Sequence, residues 1–185
     1  MMCFIWLGAS FGVGMFFSFL PTFLRTSSEY VKLSVDETYR NYFIVHACGV
    51  PGTLLASFSV DRFGRKGIMA IATAGTAGAL FLFTTFKTPS GQLTSSIVAQ
   101  FLGNIMWGVL YSYTAEVFPT SVRTLGFGLA SSVGRVGSAI APIATGLLLA
   151  GHGSTTPLYI SSCVLAFTAL LMIGLPLETR HTIVN

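Results

Sequence analysis

Six long apolar runs dominate this 185-residue chain, and short polar segments separate them. They occupy residues 2–24, 42–60, 67–86, 93–115, 126–150 and 158–177. A helix needs about 20 apolar residues to cross a bilayer, and each run has roughly that length. The lipid core offers no water, so each run must close its own backbone hydrogen bonds, which a helix does within one segment. Charged residues make up 9% of the chain, where a soluble domain carries about 25%. Mean hydropathy is +0.75. The expected fold class is an all-α membrane protein, one bundle of six transmembrane helices over residues 1–185. The first run is too long for a signal-peptide core and has no basic leader, so it reads as a span.

This composition excludes several functions. The net charge of +4 is small and scattered, unlike a nucleic-acid surface. Cys3, Cys48 and Cys163 all fall inside apolar runs, with no disulfide or metal spacing, so they are expected packed and reduced. No phosphate loop and no zinc-spaced Cys/His set is present. His46, His152 and His181 lie in a span, a turn and the tail, so no Ser/His/Asp arrangement suggests itself. The expectation is a protein that is not an enzyme and needs neither metal nor cofactor. His46 reads as a packed or pore-facing residue rather than a ligand.

One residue stands against the apolar pattern. Arg135 lies well inside the fifth run, where a buried arginine costs roughly 2.5–3.5 kcal/mol on insertion scales. Counted from Gly126 it sits about 13 Å into the span. The fourth run descends to the same side near Ala115, which puts Asn104 and Trp107 at a similar depth. Gln100, Asn104, Trp107 and Tyr111 recur at helical spacing and share one face. Two amides with a Trp and a Tyr fit the wall of a hydrated cavity; buried packing is the other reading. No Asp or Glu lies inside any run. The partner of Arg135 must therefore be an amide, a carbonyl, water, an acid on another chain or a bound anion.

Small residues predict helix contacts, at Ala70, Ala74 and Gly78 on the third run and at Ala130, Gly134 and Ser138 on the fifth. The longest link, residues 25–40, mixes three basic and three acidic residues. It reads as a solvated loop or short surface helix, with a lid over a vestibule as the alternative. Six spans put both termini on one side, together with Arg62, Arg65, Lys66, Arg123 and Arg180; Arg25, Lys32, Arg40 and Lys87 fall opposite. The tight basic cluster at residues 62–66 tips the termini inward.

Three motifs carry a resemblance. The turn DRFGRK (Asp61, Arg62, Gly64, Arg65, Lys66) resembles the D-R-x-G-R-[RK] loop of the major facilitator superfamily. AEVFPTSVR, with Glu116 and Arg123 seven apart, is similar to the E-x6-R loop of its sugar-porter, organic-ion and synaptic-vesicle-type branches. Ser131, Arg135, Gly137 and Pro142 resemble the eleventh helix of the latter two branches. The motifs come in order, each at the matching helix boundary. One departure is Ala56, where the full loop motif usually has glycine.

The resemblance implies the C-terminal half of a twelve-helix transporter, with cytoplasmic termini. Two bundles would rock about a midplane site in alternating access. Arg135, Asn104, Gln100, Trp107 and Tyr111 would face a small organic solute, a sugar or an organic ion. Asp61, Arg62, Gly64, Arg65, Lys66, Glu116 and Arg123 would form a cytoplasmic clamp, with Arg65 reaching Glu116 and Asp61 approaching Arg123. The lone cation at Arg135 favours an anionic or strongly polar solute. The partners implied are the lipid bilayer and a missing N-terminal half or second copy, with no nucleic acid. A second class stays open: a six-helix membrane protein without transport of its own, acting as a fragment or partner.

Overall fold

Pro21 interrupts the first apolar run. A proline lacks the N–H that would bond four residues back, and its ring crowds that carbonyl. The expected span over residues 2–24 therefore divides into α1 (Met2–Phe17) and α2 (Leu20–Thr26), joined by a tight turn at Ser18 and Phe19. The other helices are α3 (Val35–Phe63), α4 (Arg65–Thr85), α5 (Pro89–Val117), α6 (Arg123–His152) and α7 (Thr156–Ile173). The structure, a computed structural model, describes residues 1–26, 34–152 and 155–175, with side chains for all of these except 25–26, 59–63 and 152. Among the described residues there are helices and turns and no strand.

Local caps explain why several helices start before the apolar runs do. Ser34 accepts a bond from the Glu37 amide at 3.2 Å, and the Glu37 carboxylate accepts one from the Ser34 amide at 3.1 Å. This capping box starts α3 seven residues ahead of residue 42. The end of the link thus continues the helix, and its middle, residues 27–33, lies outside the described residues. Thr88 caps α5 with Pro89 in the first helical position, so the turn after the third run is already helical. Gly64, between α3 and α4, has φ 84°, a backbone conformation that favours glycine.

Among the described residues four helices, α4 to α7, are long and apolar enough to cross a membrane, and α1 is a shorter apolar helix. Helix α3 is long but carries Asp36, Glu37 and Arg40 at one end and Asp61 and Arg62 at the other. Phe43, Phe58, Ile71, Leu125 and Leu147 point outward at 71–77% exposure, so the exterior is apolar and suited to lipid. Hydroxyls work on the inside. Ser161 donates to the Gly12 carbonyl at 2.6 Å, Ser162 to Ala77 at 2.8 Å and Thr145 to Met15 at 3.3 Å, each across a helix interface.

The main packing pairs are α3–α5, α5–α4, α4–α7, α7–α1 and α1–α6, so the long helices follow one another in an arc. Helices α5 and α6 touch only slightly. The expected stripe on the third run is corrected: Ala70 is buried, but Ala74 and Gly78 are exposed. Helix α4 sits between α5 and α7, and its contact face runs through Ala72, Thr73, Thr76, Ala77 and Leu80 instead. On α6, Ala130 and Gly134 are buried as expected, but Gly137 and Ala141 continue the contact and Ser138 is exposed. A 3.6-residue period drifts off a strict four-residue stripe, which explains the change of residue.

Candidate functional site

Helix α6 begins at Arg123, three residues before the apolar run does. Arg135 therefore lies about 18 Å along it at 1.5 Å per residue, near the middle of a helix that runs to His152. Phe127, Ser131, Arg135 and Ser138 share one face of α6. That face meets Trp6 and Ser10 of α1 and Trp107 and Tyr111 of α5 around a cavity of about 420 Å³. Arg135 is exposed toward it. It makes no hydrogen bond and no ion pair among the described residues.

Trp6 anchors the wall. It is 2% exposed, and its Nε1 donates to Thr114 Oγ1 at 3.0 Å. Its ring lies edge-on to Trp107, Tyr111 and Phe127, with centroids at 5.7, 5.0 and 5.9 Å. Tyr111 is tilted 40° to Trp107 and 37° to Phe127. The close approach of α6 to α1 needs glycine: a Cβ on Gly137 would come within 2.9 Å of the Leu7 carbonyl oxygen. Gly134 packs in the same way against Trp6 and Ser10.

The structure divides the expected face of α5. Trp107 and Tyr111 reach the cavity with Arg135, whereas Gln100 and Asn104 lie against Gly49 of α3, outside the set of residues around the cavity. The divide follows from packing: the part of α5 carrying the amides lies against α3, and the part carrying the rings faces α1 and α6. Sequence reasoning missed Trp6, Ser10 and Phe127. Phe127 and Ser131 precede Arg135 by eight and four residues, a helical spacing that was available as a signal. Trp6 sits in a uniformly apolar helix, where no periodicity marks it.

At the end where α4 starts and α5 finishes, Arg65 and Glu116 form a two-point ion pair. Nε to Oε2 is 3.0 Å and Nη2 to Oε1 is 3.1 Å. Lys66 donates to the Leu175 carbonyl at 2.6 Å, just past the end of α7. Arg123 bonds the Phe118 carbonyl at 3.4 Å. The side chains of Asp61 and Arg62 lie outside the described residues, and so does the expected Asp61–Arg123 approach. Thr114, which holds Trp6, stands two residues before Glu116, so the cavity wall and this charged end share the last turns of α5.

Other polar and open features are simpler. His46 packs beside Tyr42, centroids 4.4 Å apart, and Phe17, at 5.9 Å. The cysteines are unpaired; Cys3 and Cys48 are half-buried, but Cys163 faces outward, so the expected packing fails there because its side of α7 is exterior. A larger groove of about 840 Å³ between α1, α6 and α7 is lined by residues such as Phe4, Ile140 and Phe167 and offers no charged group. Among the described residues no three His, Cys, Asp or Glu gather to hold a metal.

The family model of the Major Facilitator Superfamily matches residues 2–185. The chain belongs to that superfamily, a family of membrane transporters. It is 37% identical over 177 residues to an uncharacterised MFS-type transporter of Schizosaccharomyces pombe, covering 95% of this chain and 32% of that protein. It is 29% identical over 185 residues to a putative niacin/nicotinamide transporter of Bacillus subtilis, covering 98% and 45%. Among solved structures, a proton:xylose symporter bound to 6-bromo-6-deoxy-D-glucose has the same fold, with a TM-score of 0.80, at 23% identity over 99% of this chain and 40% of that one. The chain thus spans 32%, 45% and 40% of the length of these three proteins, less than half of each.

Proposed function

We propose that this chain forms the C-terminal, six-helix half of a secondary transporter that moves a small organic solute by alternating access. In this reading α1 with α2, and α3, complete the six spans, and the termini face the cytoplasm. A second six-helix half closes the cavity from the opposite side, and the two halves rock about it. The observation that carries the reading is the unpartnered Arg135 at mid-depth in a cavity that three helices share. A cation at that depth costs roughly 2.5–3.5 kcal/mol, and a solute anion arriving there removes part of that cost. Similarity to proteins named for niacin and for xylose supports a small organic solute. Within this reading Arg65, Glu116, Lys66 and Arg123 serve as the cytoplasmic clamp, holding α4, α5 and α7 together in one of the two states.

A single half encloses no two-sided cavity. The test is therefore uptake into proteoliposomes by the full-length product and by this chain alone. Saturable uptake is expected from the first and none from the second. Saturable uptake by a demonstrated monomer of this chain would sink both the half-transporter and the alternating-access account. A silent full-length product would leave the second class, a membrane protein without transport.

A further inference from the structure

We infer that the aromatic wall beside Arg135 selects a planar aromatic carboxylate, one flat ring carrying one carboxylate. This rests on the reading of the cavity as the solute site. Trp6 supplies no free face, because it is buried and edge-on to the three rings around it. Trp107, Tyr111 and Phe127 form the surface it supports. Trp107 and Phe127 flank Tyr111 with ring centroids at 6.0 and 5.9 Å, tilted 40° and 37° to it, and Tyr111 is 48% exposed. A flat ring can lie offset against an exposed ring of this group, the arrangement aromatic pairs favour. A saturated ring of similar size presents projecting hydrogens and loses part of that contact.

Arg135 sets the other end. It stands two helical turns from Phe127 on the same face, about 12 Å along the axis. Its planar fork matches a carboxylate at two points. A neutral sugar would leave that charge unmatched and would need a set of hydrogen-bonding side chains. The amides Gln100 and Asn104 lie against α3, and the serine hydroxyls left in the lining, of Ser10, Ser131 and Ser138, do not match the charge of Arg135. Ser131, between ring and guanidinium, already donates to the Gly128 carbonyl at 3.1 Å. A cavity of about 420 Å³ falls at the small end of ligand sites, which run about 300–1,000 Å³.

The chain contains two tryptophans, Trp6 and Trp107, and both belong to this wall. Their fluorescence in the chain held in lipid nanodiscs therefore reports occupancy directly. Benzoate is expected to quench it saturably. Displacement should be about three- to tenfold weaker for cyclohexanecarboxylate, through lost stacking. It should be at least about tenfold weaker for benzamide, through the lost charged pair, and absent for xylose. Arg135→Gln should erase the preference for benzoate over benzamide, and Phe127→Leu should narrow the preference for benzoate over cyclohexanecarboxylate, each with helical circular dichroism retained. No saturable quenching by benzoate overturns the inference, as does equal displacement by the saturated acid or by xylose. Those last two outcomes leave the transporter reading standing. That reading fails separately, when the full-length product takes up nothing although this wall still binds benzoate.

Discussion

Arg65 holds both carboxylate oxygens of Glu116, at 3.0 and 3.1 Å, across 51 positions of sequence. The contact ties the first turn of α4 to the last turn of α5. Its side chains are 15% and 34% exposed, so water screens the pair only in part and its worth to stability is on the order of 1 kcal/mol. A contribution that small matters in a machine with two states, where it shifts their populations by up to about fivefold. In the full-length protein, Glu116→Gln and Arg65→Gln should slow transport several-fold and lower the thermal midpoint only slightly. Arg65→Lys keeps the charge without the two-point fork and should fall between. Unchanged uptake in both neutral variants, or an identical pair in inward- and outward-open structures, removes its part as a clamp.

Three glycines make a graded test of the packing. A Cβ on Gly52 would stand 2.5 Å from the Phe101 backbone oxygen, which cannot step aside. Gly52→Ala should push α3 off α5 and cost about 1–3 kcal/mol. A Cβ on Gly49 meets chiefly the Asn104 and Gln100 side chains, which can turn away. Gly49→Ala should cost clearly less. At Gly78 nothing lies within 4 Å, so Gly78→Ala should be neutral or stabilise by up to ~1 kcal/mol through helix propensity. Thermal unfolding of the three variants in one detergent gives the order. Gly78→Ala as damaging as Gly52→Ala contradicts the described α4 exterior.

Much of this was legible in sequence because lipid permits so few solutions. A run of apolar residues has to be a helix, and the turns between runs fix the helix order. The pair of Arg65 with Glu116 followed from resemblance alone, since no spacing rule joins residues so far apart. Boundaries were less well read where a cap outranked hydropathy, as at Ser34 and Thr88, and where Pro21 split a run that looked continuous. The buried face of α4 departs from the small-residue stripe because small residues mark a possible contact and tertiary neighbours decide which are used. Gln100 and Asn104 recur with the rings at helical spacing along α5, yet the structure sets them against α3. What lies opposite each part of that face depends on how α3 and α1 pack, and this a linear pattern does not carry.

Arg135 separates two accounts of why a charge is kept in the membrane. In the first, it meets the carboxylate of the solute. In the second, it pairs with an acid of the opposite half and never touches solute. Lysine discriminates between them, because it retains the charge and loses the planar fork. On the first account, Arg135→Lys in the full-length carrier stays folded and its KM for an anionic solute rises about tenfold, the worth of one charged hydrogen bond. Arg135→Ala then loses uptake of that solute while the protein remains in the membrane. On the second account, exchanging Arg135 with its partner acid restores folding and transport together. Radiolabelled uptake, normalised to folded protein, reads both. If Arg135→Ala leaves uptake of every transported solute unchanged, Arg135 is not a solute residue, and the preference for anions goes with it.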